Sequence, residues 1–290
     1  MKEYSVDYIS DLHVDYWVRN FNLQDKKHIA NLEEYIEMLG NSSSDILIIA
    51  GDVSHYNYQI FALFELLLNK YQEIIFVPGN HEMYLISNSI SKKFNYNSFN
   101  RLDEIKAYCD LNPRLHYLDG NTVNINGLII GGTGMWHDNS YGKLLKFSDH
   151  SLYNLWKTRM QDARYIMQYK TYHDNYDAVI KKSSFDYIKH FKVEMHKMKK
   201  INEADILVSH YGPIISPESM KRYSEVDTTF FYYNGTFLLN KLKPKLYIYG
   251  HVHSQYIHFF GETKLVCNPL GRPSENTYAT IKTEVIRKDT

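Results

Sequence analysis

The nine residues IIFVPGNHE, at positions 74–82, combine the two features that decide the fold prediction. Four apolar residues come first, and a Pro-Gly pair then ends the run directly before Asn80, His81 and Glu82. A short, fully apolar run bounded by turn residues is typical of a strand that is buried on both faces. The stretch therefore predicts a buried strand that delivers polar side chains at its carboxyl end.

Four further apolar runs in the chain also end in a carboxylate or an imidazole. The residues that follow these runs are Asp11 and His13, Asp52, His210, and His251 with His253. Ligand sites of open α/β sheets form beyond the carboxyl ends of the strands. Residues two apart in an extended chain also point the same way. We therefore expect these side chains to converge on one site, and their convergence indicates a metal site.

Helical patterns alternate with the predicted strands. Residues 26–39 carry apolar side chains at helical spacing and stop before Gly40, and residues 60–68 are helical as well. The Asn126-Gly127 pair between two apolar runs predicts a hairpin with a type I′ turn. Alternation of this kind predicts an α/β fold, a sheet with helices packed on it.

The composition of the 290 residues narrows the class of protein. Thirty-three basic and 33 acidic residues cancel, so no overall field would hold the chain on DNA or on an anionic membrane. Two cysteines, Cys109 and Cys267, are too few for a disulfide scaffold or a thiolate metal cluster. No apolar run approaches the roughly 18 residues that a membrane span needs. We expect a soluble cytoplasmic protein whose metal ligands are His, Asp, Asn or Glu.

Residues 143–200 differ from the rest of the chain in charge. They contain 13 Lys and Arg against 6 Asp and Glu, with Tyr, Met and His mostly at helical spacing. We therefore expect a single domain over residues 1–290 with a basic helical insertion at about 140–200. One interpretation of the insertion is a solvated helical pair packed on the sheet. The other is a cap over the active site that attracts an anionic substrate.

Taken together, the polar blocks resemble a known family. Asp-x-His at 11–13, Gly-Asp at 51–52, Gly-Asn-His-Glu at 79–82, a lone His at 210 and Gly-His-x-His at 250–253 are the pattern of calcineurin-like metallophosphoesterases. The resemblance covers most of the chain. It implies a four-layer α/β/β/α sandwich with two metal ions between the central sheets.

Eight positions match the functional residues of that family. The resemblance assigns Asp11, His13 and His253 to a first metal, Asp52 to a bridge between two metals, Asn80, His210 and His251 to a second metal, and His81 to a non-ligand place beside the leaving group. Carboxylate, imidazole and amide ligands suit Mn, Fe, Zn or Ni, and we favour Mn²⁺. Two such ions can share a hydroxide and clamp a phosphoryl group for in-line attack.

The leading hypothesis is a binuclear-metal phosphoesterase that hydrolyses a small phosphodiester or phosphomonoester by attack of a metal-bridging hydroxide, with Asp52 and His81 as catalytic residues. A nuclease is one alternative, for which residues 143–200 would supply a basic surface. Against it stand the zero net charge and the lack of a recognisable nucleic-acid motif. A non-catalytic metal-binding scaffold of the same fold is the other alternative. The oligomeric state stays open.

Outlying residues carry weaker predictions. His137 and Arg272 are candidate substrate contacts. His55 could face the site, but we expect it in a polar surface loop. Residues 131–136 and 160–164 resemble a bacterial and phage branch of uncharacterised phosphoesterases. The 26 tyrosines are spread along the whole chain, and we expect most of them to serve packing and surface rather than nucleotide stacking.

Overall fold

Two mixed β-sheets lie face to face in the computed structural model of the protein, and helices cover the outer face of each sheet. The structure describes residues 1–288 apart from 20, 21, 23, 41, 42, 175, 176, 184, 216–220, 222, 223 and 276–278. Within residues 169–183 it describes the backbone alone.

Thirteen strands are found in the described part of the chain. They are β1 (Lys2–Ile9), β2 (Ile46–Ala50), β3 (Glu73–Val77), β4 (Leu115–Tyr117), β5 (Thr122–Ile125), β6 (Leu128–Gly132), β7 (Gln168–Asp174), β8 (Asp177–Ser183), β9 (Ile206–Val208), β10 (Leu246–Tyr249), β11 (Tyr256–Phe260), β12 (Thr263–Cys267) and β13 (Lys282–Lys288). The strand order is β13–β1–β2–β3–β4 in the first sheet and β11–β12–β10–β9–β6–β5 in the second. Strands β1 to β4 are mutually parallel, as are β6, β9, β10 and β12.

Helices connect these strands and pack on the outer faces. They are α1 (Val14–Trp17), α2 (Lys26–Met38), α3 (Asn57–Leu67), α4 (Asn88–Lys93), α5 (Ser98–Asp110), α6 (Ser140–Leu144), α7 (Asp149–Arg159), α8 (Asp162–Tyr165), α9 (Tyr187–Lys199) and α10 (Thr236–Leu242). Short 3₁₀ helices cover His81–Met83, Asp227–Phe231 and Pro273–Glu275. Helices α2, α3 and α5 cover the first sheet, and α7, α9 and α10 cover the second.

Strand β2 shows why its sequence is apolar at every position. Leu47 and Ile49 lie in the core between the first sheet and its helices, whereas Ile46, Ile48 and Ala50 lie in the core between the two sheets. Successive side chains of a strand point to opposite faces, so a strand between two cores needs apolar residues on both. This layering confirms the predicted α/β/β/α sandwich.

The remaining local predictions can be compared with these elements. The hairpin forms as expected, because Asn126 and Gly127 adopt φ values of 55° and 101° between β5 and β6. Residues 168–183 depart from the helical prediction, since β7 and β8 pair there as an antiparallel hairpin between α8 and α9. That stretch mixes Thr, Val, Ile and Tyr with Lys, and this composition favours strands. No helix among the described residues is both long and apolar enough to cross a bilayer.

Candidate metal centre

The predicted ligands lie where the parallel strands of both sheets end. Asp11, His13, Asp52, His251 and His253 follow β1, β2 and β10, and all five have a positive φ, between 44° and 71°. This left-handed conformation is uncommon for residues other than glycine. Its recurrence at five converging positions is typical of a functional site, where the surrounding structure holds a strained backbone in place.

Four of these side chains form a first cluster. Ligand atoms of Asp11, His13, Asp52 and His253 all lie within 4.8 Å of one another, and all four residues are buried. The Nε2 atoms of His13 and His253 are 3.0 Å apart, and Nε2 of His253 is 3.2 Å from Oδ1 of Asp11. Two imidazole nitrogens that face each other beside two carboxylates suit a shared divalent cation.

A second cluster shares Asp52 with the first. Asp52, His210 and His251 present ligand atoms within 4.8 Å of one another. Nε2 of His210 is 3.3 Å from Oδ2 of Asp52 and 3.1 Å from Oδ1 of Asn80. The structure thus brings together all seven side chains that were predicted as ligands, and it places the Asp52 carboxylate between the two groups.

Two glycines of the motifs allow this close approach. A Cβ atom at Gly79 would overlap with the carboxylate of Asp52, and one at Gly250 would lie 2.7 Å from Oδ2 of Asp11. The Asp52 carboxylate also accepts a hydrogen bond from the backbone N–H of His81, over 2.9 Å. Glycine at these positions therefore lets the backbone pass directly against the carboxylates.

Burial and charge pull the pKa values of the histidines in opposite directions. Burial holds the pKa of His13, His81 and His251 well below the ordinary value. Burial would also lower the pKa of His210 and His253, but the carboxylates of Asp52 and Asp11 raise each of them to about 9. A cation bound between these carboxylates would replace the protons that His210 and His253 carry.

Glu82 ties together the two loops that carry Asp52 and Asn80. Its Oε2 accepts from the backbone N–H groups of Asp52 (2.9 Å) and Gly79 (2.7 Å), and its Oε1 accepts from that of Val53 at 2.8 Å. Burial and the charge of Asp52 raise the pKa of this carboxyl. Glu82 therefore holds the two loops in position next to the centre through these hydrogen bonds, a role that the motif alone does not reveal.

Arg101, in α5, forms hydrogen bonds to the backbone of the same loops. Its guanidinium is fully buried and donates to the carbonyl oxygens of Ser54 (2.7 Å), His81 (2.7 Å) and Tyr84 (2.9 Å). Sequence reasoning missed this residue. The sequence does hold a signal for it. Arg101 is four residues before Ile105, so helical spacing places both on one face, and this face is buried in the structure.

His81 lies beside the clusters without joining either of them. Its Nε2 is 3.7 Å from Oδ2 of Asp52, and its ring stacks on that of His55 at 4.5 Å between centroids. His55 is 6% exposed and its Nδ1 contacts Oδ2 of Asp15 at 2.7 Å. The expectation of His55 in a polar surface loop was therefore wrong, since its ring lies in the interior against His81 and its Nδ1 pairs there with Asp15.

The two predicted substrate contacts lie in different surroundings. His137 is fully buried among aromatic rings, with Tyr187 at 4.6 Å and Phe230 at 5.2 Å between centroids. Arg272 is partly exposed, and its guanidinium lies over the ring of Tyr16, 4.9 Å from its centroid. Arg272 is thus the better placed of the two to meet a ligand, and contact with substrate stays a prediction for both.

The chain is similar to a family model and to several known proteins. The family model described as calcineurin-like phosphoesterase matches residues 4–255. An uncharacterized protein of Acanthamoeba polyphaga mimivirus is 23% identical, with 94% of this chain and 95% of that protein covered. The crystal structure of phosphopantetheinyl hydrolase from Mycobacterium tuberculosis has a TM-score of 0.66 at 16% identity, with 97% and 96% of the two chains covered. A dimetal phosphatase from Danio rerio has a TM-score of 0.46 at 12% identity, with 99% and 93% covered.

Proposed function

The chain belongs to the calcineurin-like phosphoesterase family, and on that premise we propose that it hydrolyses a small phosphodiester or phosphomonoester with two divalent metal ions. Mn²⁺ is the ion we favour, because carboxylate, imidazole and amide donors all accept it. We further propose that the protein acts in the cytoplasm as a single domain.

The observation that carries this proposal is the position of Asp52. Its carboxylate belongs to both clusters of buried ligand atoms, and a carboxylate has the two oxygens that a bridge requires. Asp11, His13 and His253 would complete one site. Asn80, His210 and His251 would complete the other. When bound, the two ions supply positive charge for the phosphoryl oxygens and a hydroxide nucleophile at neutral pH.

His81 is the residue we assign to the leaving group. Its Nε2 lies 3.7 Å from Asp52 and belongs to neither ligand cluster, so it stays free to interact with substrate. Burial keeps its pKa well below the ordinary value, which makes the ring neutral at physiological pH. A neutral imidazole donates one N–H, and it can hold that proton toward the alkoxide oxygen that develops as the ester bond breaks.

The proposal is tested by hydrolysis of p-nitrophenyl phosphate and bis-p-nitrophenyl phosphate by purified, metal-depleted protein after addition of Mn²⁺, Ni²⁺, Zn²⁺ or Mg²⁺. We expect turnover of at least one ester with at least one ion. The absence of turnover with every ion, from protein shown to be folded by circular dichroism, would contradict it.

A further inference from the structure

A groove with a volume of about 660 Å³ opens beside the candidate metal centre. Four tyrosines and one histidine contribute aromatic rings to its lining. They are Tyr16, Tyr56, Tyr58, Tyr165 and His55. These tyrosines come from distant parts of the sequence, so their grouping here could not be seen in the spread of tyrosines along the chain.

Two residues that line the groove contact residues of the centre. The ring of His55 stacks on that of His81 at an interplanar angle of 26°, and the ring of Tyr16 packs edge-on against that of His13 at 5.9 Å. Tyr16 and His55 are themselves 5.7 Å apart. Tyr16 and His55 thus place the groove next to His81, on the side that the proposed function assigns to the departing alcohol.

We propose that the groove binds the alcohol part of the substrate and that this part is a nucleoside, with its base stacked on the tyrosine rings. The proposal rests on the function proposed above, because His81 defines the side on which the alcohol leaves. Stacking on aromatic side chains is the general way in which proteins hold a base whose edges they do not read. A nucleoside phosphate is thus the substrate class that this site fits.

The composition of the lining favours a nucleoside over an aliphatic alcohol. An aliphatic alcohol would be matched by aliphatic side chains, and the described lining contains only Val18 and Ile86 of that kind. Arg19 and Gln161 are exposed at the groove and can donate hydrogen bonds to a base or a ribose. Arg19 is also the one cation among the described lining residues, so the groove suits a single nucleotide better than a polynucleotide.

A matched ligand pair tests the proposal directly. Adenosine 5′-monophosphate and ribose 5-phosphate share the phosphate and the sugar and differ only in the base. The active protein would hydrolyse a substrate during a titration, so calorimetry uses the Mn²⁺-loaded His81→Ala variant, in which turnover is slowed and metal content is kept. The dissociation constant for adenosine 5′-monophosphate should be lower than that for ribose 5-phosphate by roughly tenfold or more, as stacking of one base predicts. Equal dissociation constants for the two ligands would overturn the proposal.

Substitutions in the groove should remove this preference selectively. Tyr56→Leu and Tyr165→Leu should each raise the dissociation constant for adenosine 5′-monophosphate roughly three- to tenfold. The dissociation constant for ribose 5-phosphate should stay within about twofold. Tyr56→Phe and Tyr165→Phe should retain the preference, and so should Tyr141→Leu in α6, outside the groove. Equal weakening of both ligands by both leucine variants would show that the tyrosines do not hold the base, and it would overturn the proposal.

Binding and turnover together distinguish this inference from the proposed function. A preference for adenosine 5′-monophosphate in a protein that hydrolyses no ester would support the groove as a nucleoside site and contradict the phosphoesterase. Hydrolysis of p-nitrophenyl phosphate without any preference between the two ligands would support the phosphoesterase and contradict the groove as a nucleoside site.

Discussion

The Nδ2 atom of Asn80 donates a hydrogen bond to Oδ1 of Asp162 over 2.9 Å, which joins a proposed metal ligand to the segment at residues 140–200. Tyr84 donates to the same oxygen at 2.5 Å, and Asn80 also donates to the Tyr84 hydroxyl at 2.9 Å. With its nitrogen held on one side, the amide of Asn80 presents its oxygen toward His210. The contact shows that α8 packs against the centre, while a cap and a solvated helical pair both stay predictions for the segment as a whole.

Removal of the Asp162 carboxyl should release the Asn80 amide. We expect Asp162→Ala to lower either the affinity for the second metal ion or kcat by about 10- to 100-fold, the usual effect of losing a residue that orients a ligand. Asp162→Asn keeps an acceptor oxygen, so its metal affinity and kcat should fall much less. Asp149→Ala, at an exposed position of α7, is the control. Metal titration and kinetics measure the effect, and equal activity of Asp162→Ala and the control would disprove the role.

His81 should matter for turnover and not for metal content. His81→Ala removes the group that faces the leaving alkoxide, and we expect kcat to fall by about 10²- to 10⁴-fold for an ester with a poor leaving group. Metal content, measured by elemental analysis, should stay unchanged because His81 belongs to neither cluster. His150→Ala, exposed on α7, should change neither quantity. Loss of metal in His81→Ala would show that His81 is a ligand.

Metal binding should weaken as the pH falls. Without metal, the pKa values of His210 and His253 are raised to about 9, so both carry a proton at pH 7. A cation must displace these protons, and we expect release of about two protons per chain on full loading at pH 7. Calorimetric titrations in buffers with different ionisation enthalpies count them. An affinity that is the same at pH 6 and pH 8 would argue against these histidines as ligands.

The buried guanidinium of Arg101 should be a major source of stability. Arg101→Met removes the donor for three backbone carbonyls and leaves the nearby Glu82 carboxylate with less compensating charge. We expect a loss of about 3–5 kcal/mol in the free energy of unfolding, measured in urea. Arg287→Met is the matched control, because Arg287 is 68% exposed and pairs with Glu3 at the surface. That variant should lose about 1 kcal/mol or less, and similar losses in the two variants would refute the prediction.

Much of the fold and of the ligand set could be predicted because both depend on local patterns. An apolar run such as Ile46–Ala50 identifies a strand between two cores, and parallel strands bring their carboxyl ends to common edges. The supporting residues depend instead on partners far along the chain. Asp162 contacts Asn80, 82 positions away in the sequence, and His55 contacts Asp15, 40 positions away. No local spacing in the sequence therefore predicts either contact.

The metal dependence of turnover tests the central claim most directly. Metal-depleted protein should be titrated with Mn²⁺ while hydrolysis of bis-p-nitrophenyl phosphate and p-nitrophenyl phosphate is followed and bound metal is measured. We predict that activity rises to a plateau at about two ions per chain and that Asp52→Asn loses both the plateau and the bound metal. Full activity at one ion per chain, or Asp52→Asn with wild-type activity, would contradict a centre of two ions bridged by Asp52.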